Sequence, residues 1–216
     1  MNFIDYQTED YPFSEIYSDI VNVKDIGFLH DSELNTYKEV FAREKDQSSV
    51  FHKLYYSNFE SKISDTYIQF LKNHVRPLYD GPIVYQKIPT FRIHLPGNIA
   101  VGEFHKDKWY RDSDWHESVQ EMNYYLPFTD AYSTNTIWVE SEEDKEDYAP
   151  MEAKYGQCIQ WDGVNLKHGN KKNTTSHTRV SIDFRVMSYS SYKPSLHGSI
   201  NMNKKFEIGG YYELLD

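Results

Sequence analysis

Cysteine is almost absent: a single residue, Cys158, stands among 216, and one thiol cannot close an internal disulfide. Long apolar runs are missing as well. No stretch approaches the ~18–20 apolar residues of a membrane-spanning helix. The opening MNFIDYQTEDYPF has neither the basic n-region nor the apolar h-region of a secretory signal. Positive charge is in deficit, with 23 Lys and Arg against 33 Asp and Glu and a formal net charge of −10. Without a basic stripe, such a chain is a poor partner for nucleic acid. These absences lead us to expect a cytoplasmic protein with no nucleic-acid partner and no membrane. Oligomeric state leaves no mark in the sequence.

What is present is aromatic and acidic. Tyr (19) and Phe (12) are abundant and bury much surface per residue, so a chain of this length can build one large domain. Much of the negative excess sits in 140-ESEEDKED-147, which reads as a solvated loop.

The texture changes along the chain. Between Asn58 and Val75, the residues Phe59, Ile63, Tyr67, Phe70, Leu71 and His74 recur at three- and four-residue steps, the mark of a helix with one buried face. Ser57 or Asn58 is placed to cap it, and Pro77 with Asp80-Gly81 to end it. A weaker helical pattern runs from Ser32 to Arg43. From Pro82 onward, short segments rich in Val, Ile, Tyr, Phe and Trp are separated by turn residues: IVYQKI, FRIHL, IAVGEFH, MNYYLPF, TIWVE, QCIQW and RVSIDFRV. That spacing predicts an antiparallel, jelly-roll-like core rather than alternating β-α units. We therefore expect a mainly β protein with flanking helices. Residues 1–81 form a partly helical segment packed on the core, 82–190 the core, and 191–216 a tail, all within one domain.

Chemistry concentrates in 104-FHKDKWYRDSDWHES-118, which offers two pairs of metal ligands, His105 with Asp107 or His116 with Glu117. On a strand, residues i and i+2 share a face while i and i+1 oppose, so geometry favours His105 and Asp107. A strand-end histidine beside a surface aspartate explains that pair as simply, because about one H-x-[DE] arises by chance in a chain this rich in His and acids. A two-histidine, one-carboxylate iron site needs a further imidazole from a distant segment. His168 in 161-WDGVNLKHGNKKN-173 supplies one, followed by Gly169, which permits a tight bend; His177 is the rival. Downstream, 178-TRVSIDFRVMS-188 alternates cleanly. Arg179, Ser181, Asp183 and Arg185 face one side; Val180, Ile182, Phe184 and Val186 face the other. An edge strand with a solvated, self-paired polar face accounts for this pattern. The competing reading has Arg179 and Ser181 gripping a carboxylate inside a barrel, using the planar fork of the guanidinium.

The order His105-x-Asp107, His168, Arg179-x-Ser181 resembles the Fe(II)/2-oxoglutarate-dependent dioxygenases, whose double-stranded β-helix (cupin-like) core carries these motifs in this sequence. The surrounding text over roughly 82–188 (FHKD, YLPFTD, TIWVES, KHGN, NTTSHTRVSIDFRV) is similar to the branch of StrG-type streptomycin-biosynthesis proteins, a cousin of the phytanoyl-CoA hydroxylases. The resemblance implies that His105, Asp107 and His168 bind Fe(II) and that Arg179 and Ser181 hold the distal carboxylate of 2-oxoglutarate. It also implies that Asn123 helps to hold the cosubstrate, and that O2 oxidises a small molecule while 2-oxoglutarate is decarboxylated to succinate. Halogenating members lack the carboxylate ligand, so the resemblance with Asp107 in place points to hydroxylation or a related oxidation. Arg92 and His94 on FRIHL, together with Arg185, are candidates for an anionic substrate or for structural salt bridges. Trp109 and Trp138 are candidates for the pocket wall or the core, and Arg111 and His116 for the mouth. In place of the N-G-x-L…P-G-S-H loop of phytanoyl-type enzymes the chain has STNTIWVESEEDKED, so their substrate does not carry over. Two other classes use the same features differently. A metal-dependent cupin-type isomerase would keep the three ligands without needing Arg179, and a non-catalytic jelly-roll binding domain would need neither.

Overall fold

A computed structural model describes residues 1–35, 47–100, 103–110, 119–195, 198–199 and 204–216. The chain begins with strand β1 (Asn2–Asp5) and helix α1 (Phe13–Val21). In α1, Phe13, Tyr17 and Val21 are buried at four-residue steps, and Asn22 ends the helix in the left-handed conformation. A second helical run extends from Val50 to Leu78. It comprises α2 (Val50–Asn58), α3 (Ser64–Phe70), π-type turns over Phe59–Ile63 and Leu71–Val75, and a terminal 3-10 turn.

This run starts earlier than the sequence pattern suggests. Its cap is Ser49, whose hydroxyl accepts from His52 N, and neither Ser57 nor Asn58 begins it. The wide turns have a simple cause. Phe51, Tyr55, Phe59, Ile63 and Tyr67 are all buried at an exact spacing of four. At ~3.6 residues per turn such a row would drift around the helix by about 40° per step, and wider turns keep it on one face. The weaker helical pattern from Ser32 to Arg43 falls mostly on 36–46, outside the described residues.

The remaining strands are β2 (Ile83–Gln86), β3 (Thr90–His94), β4 (Met122–Pro127), β5 (Ile137–Val139), β6 (Ala149–Pro150), β7 (Gln157–Trp161), β8 (His168–Asn170), β9 (Arg179–Ser188), β10 (Gly198–Ser199), β11 (Lys204–Lys205) and β12 (Tyr212–Leu215). A seven-stranded antiparallel sheet runs β1-β7-β4-β9-β2-β12, with β3 also on β9; a smaller sheet runs β6-β5-β8. The two sheets pack face to face. Tyr125, Ile159 and Trp161 of the large one share an apolar cluster with Val139, Met151, Ala131 and Ala153. The result is the jelly-roll core, and its two edge strands, β1 and β12, come from the flanking segments 1–81 and 191–216.

Strand β9 is the spine, not an edge. It pairs with β4 on one side and with β3 and β2 on the other. Its apolar face (Val180, Ile182, Phe184, Val186) joins Phe91, Ile93, Tyr124 and Leu126 against the helical layer of Tyr17, Phe51, Tyr55, Tyr67 and Phe70. Burying each such side chain contributes about 1.5–3 kcal/mol. The opposite face of β9 therefore looks into the barrel, carrying Arg179, Ser181, Asp183 and Arg185 with it. No helix among the described residues is long and apolar enough to cross a membrane.

Candidate metal centre

His105 and His168 are opposed residues of an isolated antiparallel bridge. His105 N donates to His168 O at 2.8 Å and His168 N to His105 O at 2.9 Å. Asp107 N and Lys108 N continue the contact, donating to Gly163 O (3.0 Å) and Val164 O (3.3 Å). The described residues of IAVGEFH, 99–100 and 103–105, form no strand, and His105 enters only this bridge. Asp107 opens a 3-10 turn, Asp107–Tyr110, and meets His105 through that turn instead of through strand alternation. Gly169 serves close approach, not a bend, since a Cβ there would lie 2.9 Å from the Phe104 ring and 3.0 Å from its Cα.

The side chains converge in the way a metal requires. Each histidine engages Nδ1 with the carbonyl two residues behind it, His105 with Glu103 O and His168 with Leu166 O, both at 2.9 Å. Read as Nδ1–H donors, both rings present the Nε2 lone pair to the centre, the tautomer that outer hydrogen bonds fix in metal sites. Those Nε2 atoms stand 3.7 Å (His105) and 3.9 Å (His168) from Asp107 Oδ1, too far for hydrogen bonds. One ligand atom from each of the three residues lies within 4.8 Å of the others. Burial, only partly opposed by Asp107, lowers the His168 pKa to about 4, so its ring is neutral at pH 7 and its contact with Asp107 is not an ion pair. Trp161 meets His168 edge-on, with ring centroids 4.7 Å apart.

Asp107 is committed on its other oxygen. Oδ2 accepts from Arg185 Nη2 at 2.7 Å and from Asn123 Nδ2 at 2.9 Å, leaving Oδ1 as the oxygen turned to the histidines. Burial disfavours the charge, but Arg185 foremost, then His168, Asn123 and His105, hold the carboxyl well below the usual carboxylate range. Asn123 reaches it because Gly163 lacks a side chain; a Cβ there would stand 2.7 Å from Asn123 Nδ2. Arg185 also meets Tyr211 OH (3.2 Å) and Glu121 Oε1 (3.4 Å), and Tyr212 OH donates to Glu121 Oε2. Asn123, expected at the cosubstrate, and Arg185, expected at substrate or in a salt bridge, both bond the Asp107 carboxylate. Sequence reading missed Glu121, Tyr211, Tyr212 and Trp161. Only alternation with Asn123 along β4 (for Glu121) and with Ile159 along β7 (for Trp161) hinted at two of them.

Farther along the same face of β9, Arg179 is 1% exposed and Ser181 fully buried. Arg179 donates Nε to Asn135 O (3.0 Å) and Nη1 to Ser181 Oγ (2.9 Å), and forms no ion pair among the described residues. The carboxylate nearest in the strand, Asp183, is taken by Arg92 Nε at 2.8 Å. Burial accordingly pulls the Arg179 pKa down from its ordinary value. His94, paired in register with Arg179, is fully buried between Asn98 O (2.8 Å) and Asn135 O (3.1 Å). Burial first, then Arg179, lowers it to about 4.

Trp109 is 56% exposed beside the ligand turn, outside the core. Trp138 carries Lys171 Nζ over its ring at 3.2 Å. His177 contacts Tyr132 and Phe28, away from the centre. Arg111, His116 and Glu117 lie outside the described residues.

The donor set fits a divalent transition ion. Two imidazoles and one singly presented carboxylate oxygen form the set that leaves cis positions open on non-haem iron. Asn123 Oδ1 and Trp161 Nε1, at paired positions of β4 and β7, are buried with no hydrogen-bond partner among the described residues; buried polar atoms normally have one.

No protein-family model matches the chain. The streptomycin biosynthesis protein StrG of Streptomyces griseus is 35% identical over 208 residues, 96% of this chain and 95% of StrG. Among solved structures, the non-heme alpha ketoglutarate dependent carbocyclase SnoK from nogalamycin biosynthesis shares the fold. Its TM-score is 0.51, over 99% of this chain and 91% of SnoK, at 11% identity. The non-heme monooxygenase ThoJ, as its nickel complex, matches 86% of this chain and 73% of its own at 12% identity and a TM-score of 0.48. Identity of this degree, sustained over nearly the whole length of both proteins, settles descent: the chain belongs to the family of the streptomycin biosynthesis protein StrG.

Proposed function

We propose that this protein is an Fe(II)- and 2-oxoglutarate-dependent oxygenase that hydroxylates a small molecule, with 82–190 as its catalytic core. One observation carries the reading: a two-histidine, one-carboxylate set and a buried guanidinium without an ion pair among the described residues share one barrel interior. A desolvated arginine lacking a counter-charge is costly and is the group that receives a carboxylate in two parallel hydrogen bonds. A cupin-type isomerase or a binding module has no use for it.

His105, Asp107 and His168 would hold the iron. Asp107 would offer Oδ1 alone, because Arg185 and Asn123 occupy Oδ2. Arg179 would bind the distal carboxylate of 2-oxoglutarate, with Ser181 beside it and Asn135 O fixing the guanidinium plane. When bound, iron and cosubstrate supply an O2-dependent oxidation coupled to loss of CO2 and formation of succinate. The barrel walls keep the centre away from bulk water. Trp109, exposed next to Asp107, is placed to meet the substrate. Likeness to a streptomycin biosynthesis protein supports a small biosynthetic intermediate as that substrate.

The test is succinate formation and O2 consumption with Fe(II), 2-oxoglutarate and panels of aminocyclitol- and sugar-type compounds. Succinate production by the natural sequence, lost in His168→Ala and Arg179→Met, is the expected result. Iron binding without 2-oxoglutarate turnover under any condition would overturn the proposal.

A further inference from the structure

Residues 141–147 of the acidic run are exposed, as expected of a solvated loop, but the loop is tied down at its start and through its side chains. Glu140 is fully buried. Its Oε1 accepts from Lys167 N at 2.6 Å, its Oε2 accepts from Glu146 N at 3.1 Å, and its own N–H donates to Lys167 O at 3.1 Å. Ser141 donates from N (2.8 Å) and Oγ (2.6 Å) to Asp147, closing the loop on itself. Glu143 receives Lys106 Nζ at 2.9 Å and also Lys108 Nζ; Asp144 receives Lys106 Nζ at 2.6 Å; Glu146 receives Lys167 Nζ at 2.5 Å. Asp144 and Glu146 take left-handed φ values of 63° and 55°, which residues with a Cβ keep only where surrounding contacts hold them. These carboxylates are occupied by ammonium and N–H donors, so the run is not an open cation site.

The lysines it captures are not scattered. Lys106 lies between His105 and Asp107, Lys108 follows Asp107, and Lys167 precedes His168. Each ligand that turns inward is flanked by a lysine that turns outward to one loop. The Lys106 side chain is only 3% exposed, and an ammonium so enclosed depends on its partners. The loop thus grips both ligand-bearing segments, 105–108 and 167–168, through side chains on one and through backbone and side chain on the other.

We propose that residues 140–147 form an electrostatic clasp that positions the two ligand-bearing segments against each other and thereby sets the affinity of the centre for its metal ion. The inference rests on the metal-binding reading above. It adds that Lys106, Lys108, Lys167, Glu140, Glu143, Asp144 and Glu146 are positioning residues. Outer contacts of this kind, when removed, weaken metal sites by about 10- to 100-fold.

The test is Co(II) titration of the full chain, read by visible absorption, with thermal unfolding of the metal-free protein in parallel. Glu143→Gln/Asp144→Asn is expected to weaken Co(II) by about tenfold and to broaden its spectrum. Raising salt from about 0.05 to about 1 M, where screening shortens to ~3 Å, should weaken the natural protein more than the variant. On the other segment, Lys167→Glu should weaken binding and the added Glu146→Lys should restore it; this pair decides the matter if the first variant does not fold. Natural protein that binds Co(II), with all variants within about twofold of it and changed only in unfolding temperature, would overturn the clasp alone. Natural protein that binds no Co(II) would overturn the metal reading and the clasp with it.

Discussion

Arg179 and Arg185 stand on one face of one strand, yet the same substitution should affect them very unequally. Arg185 is an ion-pair partner, 2.7 Å from Asp107 Oδ2 and 3.4 Å from Glu121 Oε1, with 15% of its side chain exposed. Arg185→Met strands two carboxylates, and breaking a buried pair from one side costs about 3–5 kcal/mol. The residual exposure puts the expectation near the lower bound. At about 2–4 °C per kcal/mol for a chain of this size, unfolding should fall by roughly 6–12 °C. Arg179 is deeper but has no ion pair among the described residues. Arg179→Met forfeits the hydrogen bonds to Asn135 O and Ser181 Oγ, worth about 1.5–3 kcal/mol each for a charged donor. Against that, it relieves several kcal/mol of uncompensated ion burial, so the net change should stay within about 2 kcal/mol of zero. Urea denaturation of the metal-free proteins, followed by circular dichroism, measures both. In Ni(II)-loaded protein, 2-oxoglutarate at about 100 times its Kd should add ~2.7 kcal/mol, and Arg179→Met should abolish that gain. Equal losses at the two positions would refute the distinction, and with it the idea that Arg179 awaits an anion.

Three further outcomes follow from the geometry. His94 titrates at about 4 in the fold against an ordinary 6.5. Above pH 6.5 it is neutral in both states; between 6.5 and 4 the unfolded chain binds a proton that the folded chain refuses. Stability should therefore fall with falling pH across that window, by up to about 3 kcal/mol, and His94→Gln should flatten the fall; an unchanged acid-unfolding profile would contradict this. Gly163→Ala places a methyl against Asn123 Nδ2, which should push the amide off Asp107 and weaken Co(II) binding by about tenfold; unchanged affinity would show that Asn123 does not orient the ligand. Trp109→Ala, at an exposed position, should change stability by no more than about 0.5 kcal/mol while raising KM for substrate; an unaltered KM removes Trp109 from the substrate site.

Legibility in the sequence followed how local each determinant is. Strand β9 could be read because its alternation is complete over eight residues, Arg179 to Val186, but an edge strand fitted that pattern too, and only the family resemblance singled out Arg179 and Ser181. The helical layer was half legible, since strict four-residue spacing conceals the π-type turns that accommodate it. NFID and YELL could not be read as strands: each is four residues long, and each is made a strand by its partner, β7 for the first and β2 for the second. His105 and Asp107 do come together, but through a bridge and a 3-10 turn that the text of IAVGEFH conceals. Arg185 could be assigned to a face of β9, whereas its partner Asp107 lies 78 residues away and only the closed barrel brings them into contact. The acidic run is legible as exposed over 141–147, but composition could not show that Glu140 is buried or which lysines the run would meet.

The decisive measurement is anaerobic. Fe(II) added to the protein should leave the visible spectrum nearly empty, and 2-oxoglutarate added next should bring up a charge-transfer band. That band should be absent from His168→Ala, which lacks a ligand, and from Arg179→Met, which retains the iron. Tight Fe(II) binding with no band on adding 2-oxoglutarate would contradict the assignment of Arg179 and the oxygenase reading together.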